Sequence, residues 1–455
     1  MLQFLSSLLI SILTGFFTVT IFWRSRSIFE QFTIKICLST AIGLGISSCI
    51  YFITLLFFGN SVRAMFTFEV LTFIPVTLTA LFLTKDKSCT PEGFCSDNKH
   101  SSKLLSWGYL LAFVYSFFSF LSVIAKYRFG NWDAWLIWNL HAKFLFICGN
   151  NWKDYFHSNL NWTHPDYPLL LPGLIARGWH YIGFETFFVP IVIALIFTFC
   201  TGILLYSSLS NLKSKNHGYL AGIILLSTPF FIKTGTTLCA DTLISFFLLA
   251  TLILFFLYSR ASNGNYGLIV LAGITSSLGA WCKNEGLLMI LIILIARSII
   301  VIPAEGWKTY KKEALYFITG LLPVLTMIIY FKMQLAPVND LFIGQNLHSI
   351  VLKLTDPSRY GLILSYYVKL GWLFTKSIIN PFTVLLFMIL AGINVEKRDK
   401  INTNASILAI VFMLGAYFTM YLVTPHDLNW HLNSSLNRLF MQLWPSFIFT
   451  CFMMI

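Results

Sequence analysis

The sequence predicts an all-α polytopic membrane protein, and three observations carry that prediction. Hydrophobic residues make up 57% of the 455-residue chain and charged residues 11%, where a soluble domain carries roughly a quarter charged. Apolar runs recur along the whole length, each close to the roughly 20 residues a helix needs to cross a bilayer core. Lys and Arg gather in alternate connectors, the asymmetry that sets membrane orientation. The formal net charge of +13 sits mostly in those connectors. It implies membrane lipids or an anionic lipid substrate as partners, and not nucleic acid. The nine cysteines are scattered and mostly inside apolar runs, as small buried hydrophobes are. Cys89 and Cys95 share a loop, but no second pair completes a zinc site.

Taken in order, thirteen segments are candidate spans. The first, 2–23, has no basic stretch ahead of it and is long enough to span, so it reads as a membrane helix and not as a cleavable signal. With 34–58 and 65–84 it forms an N-terminal three-span extension, residues 1–103. That unit is closed by the polar loop 85–103, KDKSCTPEGFCSDNKHSSK. Residues 104–334 form a seven-span module: 104–125, then a large loop over 126–183, then 184–209, 218–236, 238–259, 266–282, 286–302 and 314–334. Residues 335–455 hold a loop, an interfacial helix over 361–375 and the last spans, 377–394, 402–424 and 436–455. The run 361–375 carries Lys369, two tyrosines and a tryptophan, which suits a helix lying in the interface. Charge parity points the same way, because an odd number of crossings must lie between 335 and 393 if Lys397, Arg398 and Lys400 are to stay with the other cations, and 377–394 supplies the single one.

Arg24, Arg26 and Lys35 belong to the cation-rich set of connectors. So do Lys85, Lys87, Lys99 and Lys103, then Lys213 and Lys215, Arg260, the lysines at 308, 311 and 312, and the 397–400 cluster. Assigned to the cytoplasm, they leave the N-terminus, the large loop, the turns near Asp241 and 283–285, the loop 335–376 and segment 425–435 outside.

The large loop is the organising stretch. Residues 127–179 alternate polar and aromatic side chains, with tryptophans at 132, 135, 138, 152, 162 and 179 that suit a membrane–water boundary. Interfacial helices are expected within it. Asp133 stands at its start, where a carboxylate serves as a base, holds a metal or caps the next helix. His164-Pro165-Asp166-Tyr167-Pro168 stands near its end. Two prolines stiffen that turn, which presents His164 and Asp166 to a headgroup or simply starts a helix.

Asp241 opens a later span, as a functional carboxylate or a cap. Lys283 and Glu285 share a tight outer turn, either solvated or meeting a phosphate. Segment 424–438, TPHDLNWHLNSSLNR, holds His426, Asp427 and His431 at spacings that suit a divalent metal weakly and a water-facing loop better. Arg438 starts an apolar segment, where its planar fork either matches phosphate oxygens or snorkels to headgroups. Ionisable groups at membrane depth tend to face a cavity and pair with one another, so collecting these groups on one face points to a reaction site, with a permeation path as the main rival.

The order span, outer Asp133, amphipathic loop, HPDYPLLLP, span resembles the GT-C superfamily of membrane glycosyltransferases. The branch it resembles most holds the protein O-mannosyltransferases and the lipid A aminoarabinose transferase. The resemblance covers roughly 104–334 and the tail, where Arg438 followed by Pro445 matches a late Arg and Pro. Ala134 stands where the mannosyltransferases have a second acid, and Asp166 and Tyr167 interrupt the His-Pro motif. The resemblance implies a polyprenyl-phosphate sugar donor, a lipid, glycan or protein acceptor, and a single inverting displacement on the extracytoplasmic face; a bacterial inner membrane is expected separately, because the sequence shows no eukaryotic sorting features. It makes Asp133 the base and Asp241 a second catalytic acid, with Arg438, Lys283, His164 and Asp166 toward the donor. Glu285, His426, Asp427 and His431 would line the acceptor side. A transporter or flippase for an anionic lipid-linked substrate is the rival; it calls for inverted repeats and mid-membrane breaks, and the sequence shows neither.

Overall fold

In a bilayer core no water satisfies backbone N–H and C=O groups, so long apolar runs form helices that satisfy their own. The computed structural model describes residues 1–23, 29–84, 101–261, 264–341, 343–374 and 378–455. Among them every regular element is helical. Arg24, Arg26, Lys85, Lys87, Lys99, Cys89 and Cys95 fall outside the described residues.

Nine described helices are long and apolar enough to cross a membrane, and ten if the pair Lys215–Leu226 and Pro229–Thr236, bent by 62°, is one span. Pro229 at the start of the second half explains the break, since it donates no backbone hydrogen bond to the turn before it. The other three expected spans take different forms. Gly267–Cys282 has 16 residues, about 24 Å at 1.5 Å each, and is buried along almost its whole length. Leu428–Met453 has 26 residues and a polar first half. Pro381–Ala391 has 11, about 16 Å, too short to cross alone.

The run expected to lie in the interface, 361–375, falls in helix Pro357–Leu373, which packs alongside the candidate span Lys400–Val423 and so does not lie across the ends of the spans as an interfacial helix would. Arg359 donates to the carbonyls of Tyr421 and Leu422, and the Tyr367 hydroxyl to that of Leu414. The helix therefore runs antiparallel along Lys400–Val423 for about two turns, and residues 375–377 beyond it lie outside the description.

Helix Asp241–Arg260 gives the bundle its two ends. Its 20 residues rise about 30 Å, one hydrocarbon thickness. At one end Asp241 meets Arg438 and Lys283. At the other Arg260 pairs with Asp399 and Glu396, and Lys213 donates to the Ile455 carbonyl. The cations of the connectors at 213, 260 and 396–399 thus share the end opposite the large loop.

The N-terminal helices pack directly on this bundle. Helices Leu2–Phe22 and Phe29–Phe58 touch through glycine: a Cβ on Gly43 would lie 1.9 Å from the Ser11 carbonyl oxygen, and one on Gly15 1.9 Å from that of Ser39. Small residues let membrane helices approach this closely. Gly43→Leu is therefore expected to force the pair apart and destabilise the protein by about 1–3 kcal/mol, read as a lowered unfolding temperature in detergent; an unchanged temperature would refute the close contact. Farther along, Arg177 and Glu69 form a buried ion pair with Nε–Oε1 of 2.5 Å, and Tyr181 donates to Glu69 at 2.7 Å. This pair ties helix Val62–Thr84 to helix Leu170–Ile182, which directly follows the HPDYP turn.

Candidate active site

The large loop folds into short helices. A π-helical turn, Ala134–Asn139, leads into α-helix Leu140–Ile147, then two 3-10 helices, Gly149–Phe156 and Ser158–Thr163. π-Turns occur often at functional sites, and this one begins next to Asp133. The Asp133 carboxylate makes no cap; Asn131 accepts from the Ala134 N–H instead, at 3.0 Å. Trp132, Trp135 and Trp162 are exposed, but Trp138, Trp152 and Trp179 are buried against the bundle. Half of the tryptophans expected at the boundary are thus packing residues.

Asp133 instead pairs with Nη1 of Arg438, 305 positions away. Arg438 Nε also reaches Asp241 Oδ2 at 2.8 Å. Asp241, 1% exposed, accepts at Oδ1 from Gln442 at 2.8 Å and from Lys283 at 3.3 Å. Lys283 completes the chain with Glu285 at 2.7 Å. Burial pulls the Lys283 ammonium down, but the Asp241 and Glu285 carboxylates outweigh it and hold the group well above its ordinary value, so it stays charged. The network alternates sign, Asp133–Arg438–Asp241–Lys283–Glu285, so each buried charge has an opposite neighbour, as the cost of desolvation requires.

A cavity of about 660 Å³ lies over this network. Asp133, Lys283, Glu285, His164, His426, His431 and Arg438 all line it. Three of the expected residues, Asp166, Asp427 and Asp241, do not. Asp166 is buried, its carboxylate accepting from Asn284 and Asn339 at 2.7 Å each, while Lys332 donates to its backbone carbonyl at 2.5 Å. It pins the HPDYP turn to three other segments. Asp427 is exposed and accepts from the Trp430 N–H at 2.8 Å, as the cap of the last helix. Asp241 sits behind Arg438, off the cavity wall.

His164 stands in the left-handed region, φ 52°, and its ring stacks on Tyr167 at 5.0 Å. Tyr167 stacks in turn on Trp138 at 5.6 Å, with the Lys283 ammonium 5.7 Å from its ring centre. Burial pushes the Tyr167 hydroxyl up, so it stays protonated. At the outer rim stands Asp340, a residue the sequence reading did not single out. Its Oδ2 lies 3.3 Å from His426 Nε2 and 3.8 Å from His164 Nδ1. His431, in the turns ahead of the span, accepts from or donates to Thr424 at 2.8 Å. Burial and then the neighbouring His426 hold its imidazole down to about 4, so it is neutral. Among the described residues no three His, Cys, Asp or Glu side chains are arranged to hold a metal ion.

Chemically, the site offers a carboxylate at a cavity wall, two fixed cations at the floor and a ring of imidazoles at the rim. A family model described as dolichyl-phosphate-mannose-protein mannosyltransferase matches residues 164–331. The matched stretch runs from the histidine of the HPDYP turn into helix Trp307–Gln334. It contains Asp166, Asp241, Lys283 and Glu285; Asp133 and Arg438 lie outside it. No curated protein and no solved structure matches the chain. Together with the many apolar helices, the match bears out the resemblance to GT-C-type glycosyltransferases and supports an integral membrane glycosyltransferase that uses a lipid-linked sugar donor.

Proposed function

We propose that the chain transfers a sugar from a polyprenyl-phosphate donor to an acceptor hydroxyl, with inversion, on the extracytoplasmic face of a bacterial inner membrane. The acceptor is a lipid, glycan or protein. The observation that carries this reading is the charge network: a cavity-lining carboxylate and two cations, the half-buried Arg438 and the buried Lys283, joined at one end of the bundle.

A prenyl phosphate leaves as an anion and needs no proton, so one base on the acceptor hydroxyl suffices. Asp133 is that base. Arg438 and Lys283 meet the departing phosphate, as fixed charges in a dry site do. Before the donor binds, Arg438 occupies Asp133. A phosphate on the guanidinium weakens that pair and frees the carboxylate, so donor binding precedes deprotonation. Asp241 does not touch the cavity; its role is to hold both cations in place.

The test is transfer of labelled mannose from polyprenyl-phosphate mannose by the purified protein in nanodiscs. Released or transferred sugar that depends on Asp133 supports the proposal; lipid translocation without cleavage of the sugar–phosphate bond refutes it. The placement of the site is tested separately. Cysteines introduced at Asn151 and Asn429, both exposed on the site end, are expected to gain label from an impermeant reagent added outside intact cells. Opposite labelling of the two would break the site apart.

A further inference from the structure

We infer that the outer half of the cavity, around Asp340, binds a sugar ring of the acceptor; the inference rests on the transferase reading above. The proposed chemistry uses the floor of the cavity and leaves this rim without a role, although it holds a carboxylate, three imidazoles and two exposed indoles.

The residue types select the ligand. A carboxylate only accepts hydrogen bonds, and a neutral imidazole offers one donor and one acceptor. Asp340 therefore takes two hydroxyl donors, and His426 and His164 beside it take hydroxyls in either role. Trp162 and Trp430 line the same cavity and are each 60% exposed, so their faces are open to the C–H surface of a ring. The His426 ring lies 5.6 Å from that of Trp430 and 5.5 Å from that of His431, which makes this one continuous wall. A phosphate is disfavoured here, because Asp340 repels it and the fixed cations stand at the floor. A hydroxyl-rich ring fits every group.

Position separates acceptor from donor. His431 and Arg438 are seven residues apart on one helix, two turns on one face, about 10.5 Å along the axis. A donor whose phosphate sits on Arg438 keeps its sugar next to the floor. The Asp340 wall lies two turns farther out, on the side from which an acceptor must approach. The backbone adds weight. His164 is held in a conformation costly for a non-glycine residue, and its stack on Tyr167 turns the imidazole toward Asp340.

The experiment uses the full-length protein in nanodiscs and tryptophan fluorescence, with neutral methyl hexosides and polyprenyl phosphate as separate probes. Saturable binding of at least one methyl hexoside is expected. Asp340→Asn is expected to weaken it tenfold or more and Asp340→Glu to recover part of it, while polyprenyl phosphate affinity stays at the wild-type value. Arg438→Gln is expected to show the reverse pattern. Hexoside binding that is absent from the wild type, or unchanged in folded Asp340→Asn, overturns the inference. If Asp340→Asn weakens polyprenyl-phosphate mannose but not polyprenyl phosphate, the ring is the donor's and the acceptor assignment falls. Because these are binding measurements, they fail separately from the transferase reading, which stands or falls on cleavage of the sugar–phosphate bond.

Discussion

Asp133→Asn is expected to lower the sugar-transfer rate by roughly a hundredfold to ten-thousandfold, the usual loss when a positioned general base is removed. The substitution keeps the shape of the side chain and removes its charge and proton affinity. Folding should survive, because Asp133 is partly exposed and makes no helix cap. Arg438 keeps its second carboxylate, Asp241. The guanidinium is then freer to hold the donor phosphate, so donor affinity should stay the same or rise while the rate falls. That split between binding and rate separates a lost base from a damaged site.

Arg438→Lys makes the complementary case. It keeps a positive charge but cannot engage Asp133 and Asp241 at once through a planar fork, so it should weaken donor binding as well as rate. Full transferase activity in folded Asp133→Asn would remove Asp133 from the role of base.

Much of this site is legible in the sequence because charges near membrane depth are costly and therefore conspicuous. Asp133, Asp241, Lys283, Glu285 and Arg438 stand at the ends of apolar runs, and the structure joins all five in one chain of ion pairs. Residues without that signature stay hidden. Gln442 is neutral and inside a span; only its place one turn after Arg438, on the same helix face, hints that it shares the partner Asp241. Lys332, near the end of the expected span 314–334, does not stand out in the sequence, yet it holds the HPDYP turn.

Asn339 and Asp340 lie in a loop with no apolar period, so their side is legible and their partners are not. The same limit explains Asp166 and Asp427. Their residue type suits ligand binding, but a carboxylate next to a turn or at a helix start serves the local backbone and neighbouring amides equally well, and that is where both are found. The fold follows similar lines. Spans of sufficient length were readable, while the 11-residue helix Pro381–Ala391 and the antiparallel packing of Pro357–Leu373 depend on neighbours the local sequence does not reveal.

Asp241→Asn is expected to damage both folding and catalysis. Asp241 is 1% exposed, and its two oxygens accept from Lys283, Gln442 and Arg438. Asn offers one acceptor oxygen and turns an N–H donor toward groups that are themselves donors. Removing one partner of a buried pair typically costs about 3–5 kcal/mol, because the remaining charge is left uncompensated. Here Arg438 retains Asp133 and Lys283 retains Glu285, so the loss should fall toward the lower end of that range.

The same rearrangement has a catalytic consequence. With Asp241 neutral, Asp133 becomes the sole carboxylate on Arg438, the pair between them tightens, and the base is harder to free. Transfer should therefore fall even in protein that has folded. A double-mutant cycle of Asp133→Asn and Asp241→Asn then reads the coupling directly. Residues in one ion-pair network deviate from additivity by about 0.5–3 kcal/mol, and once Asp133 is gone the second substitution should cost little further rate. Additive losses would mean that Asp241 acts independently of the Arg438 pair, and a stable, fully active Asp241→Asn variant would remove it from the machinery altogether.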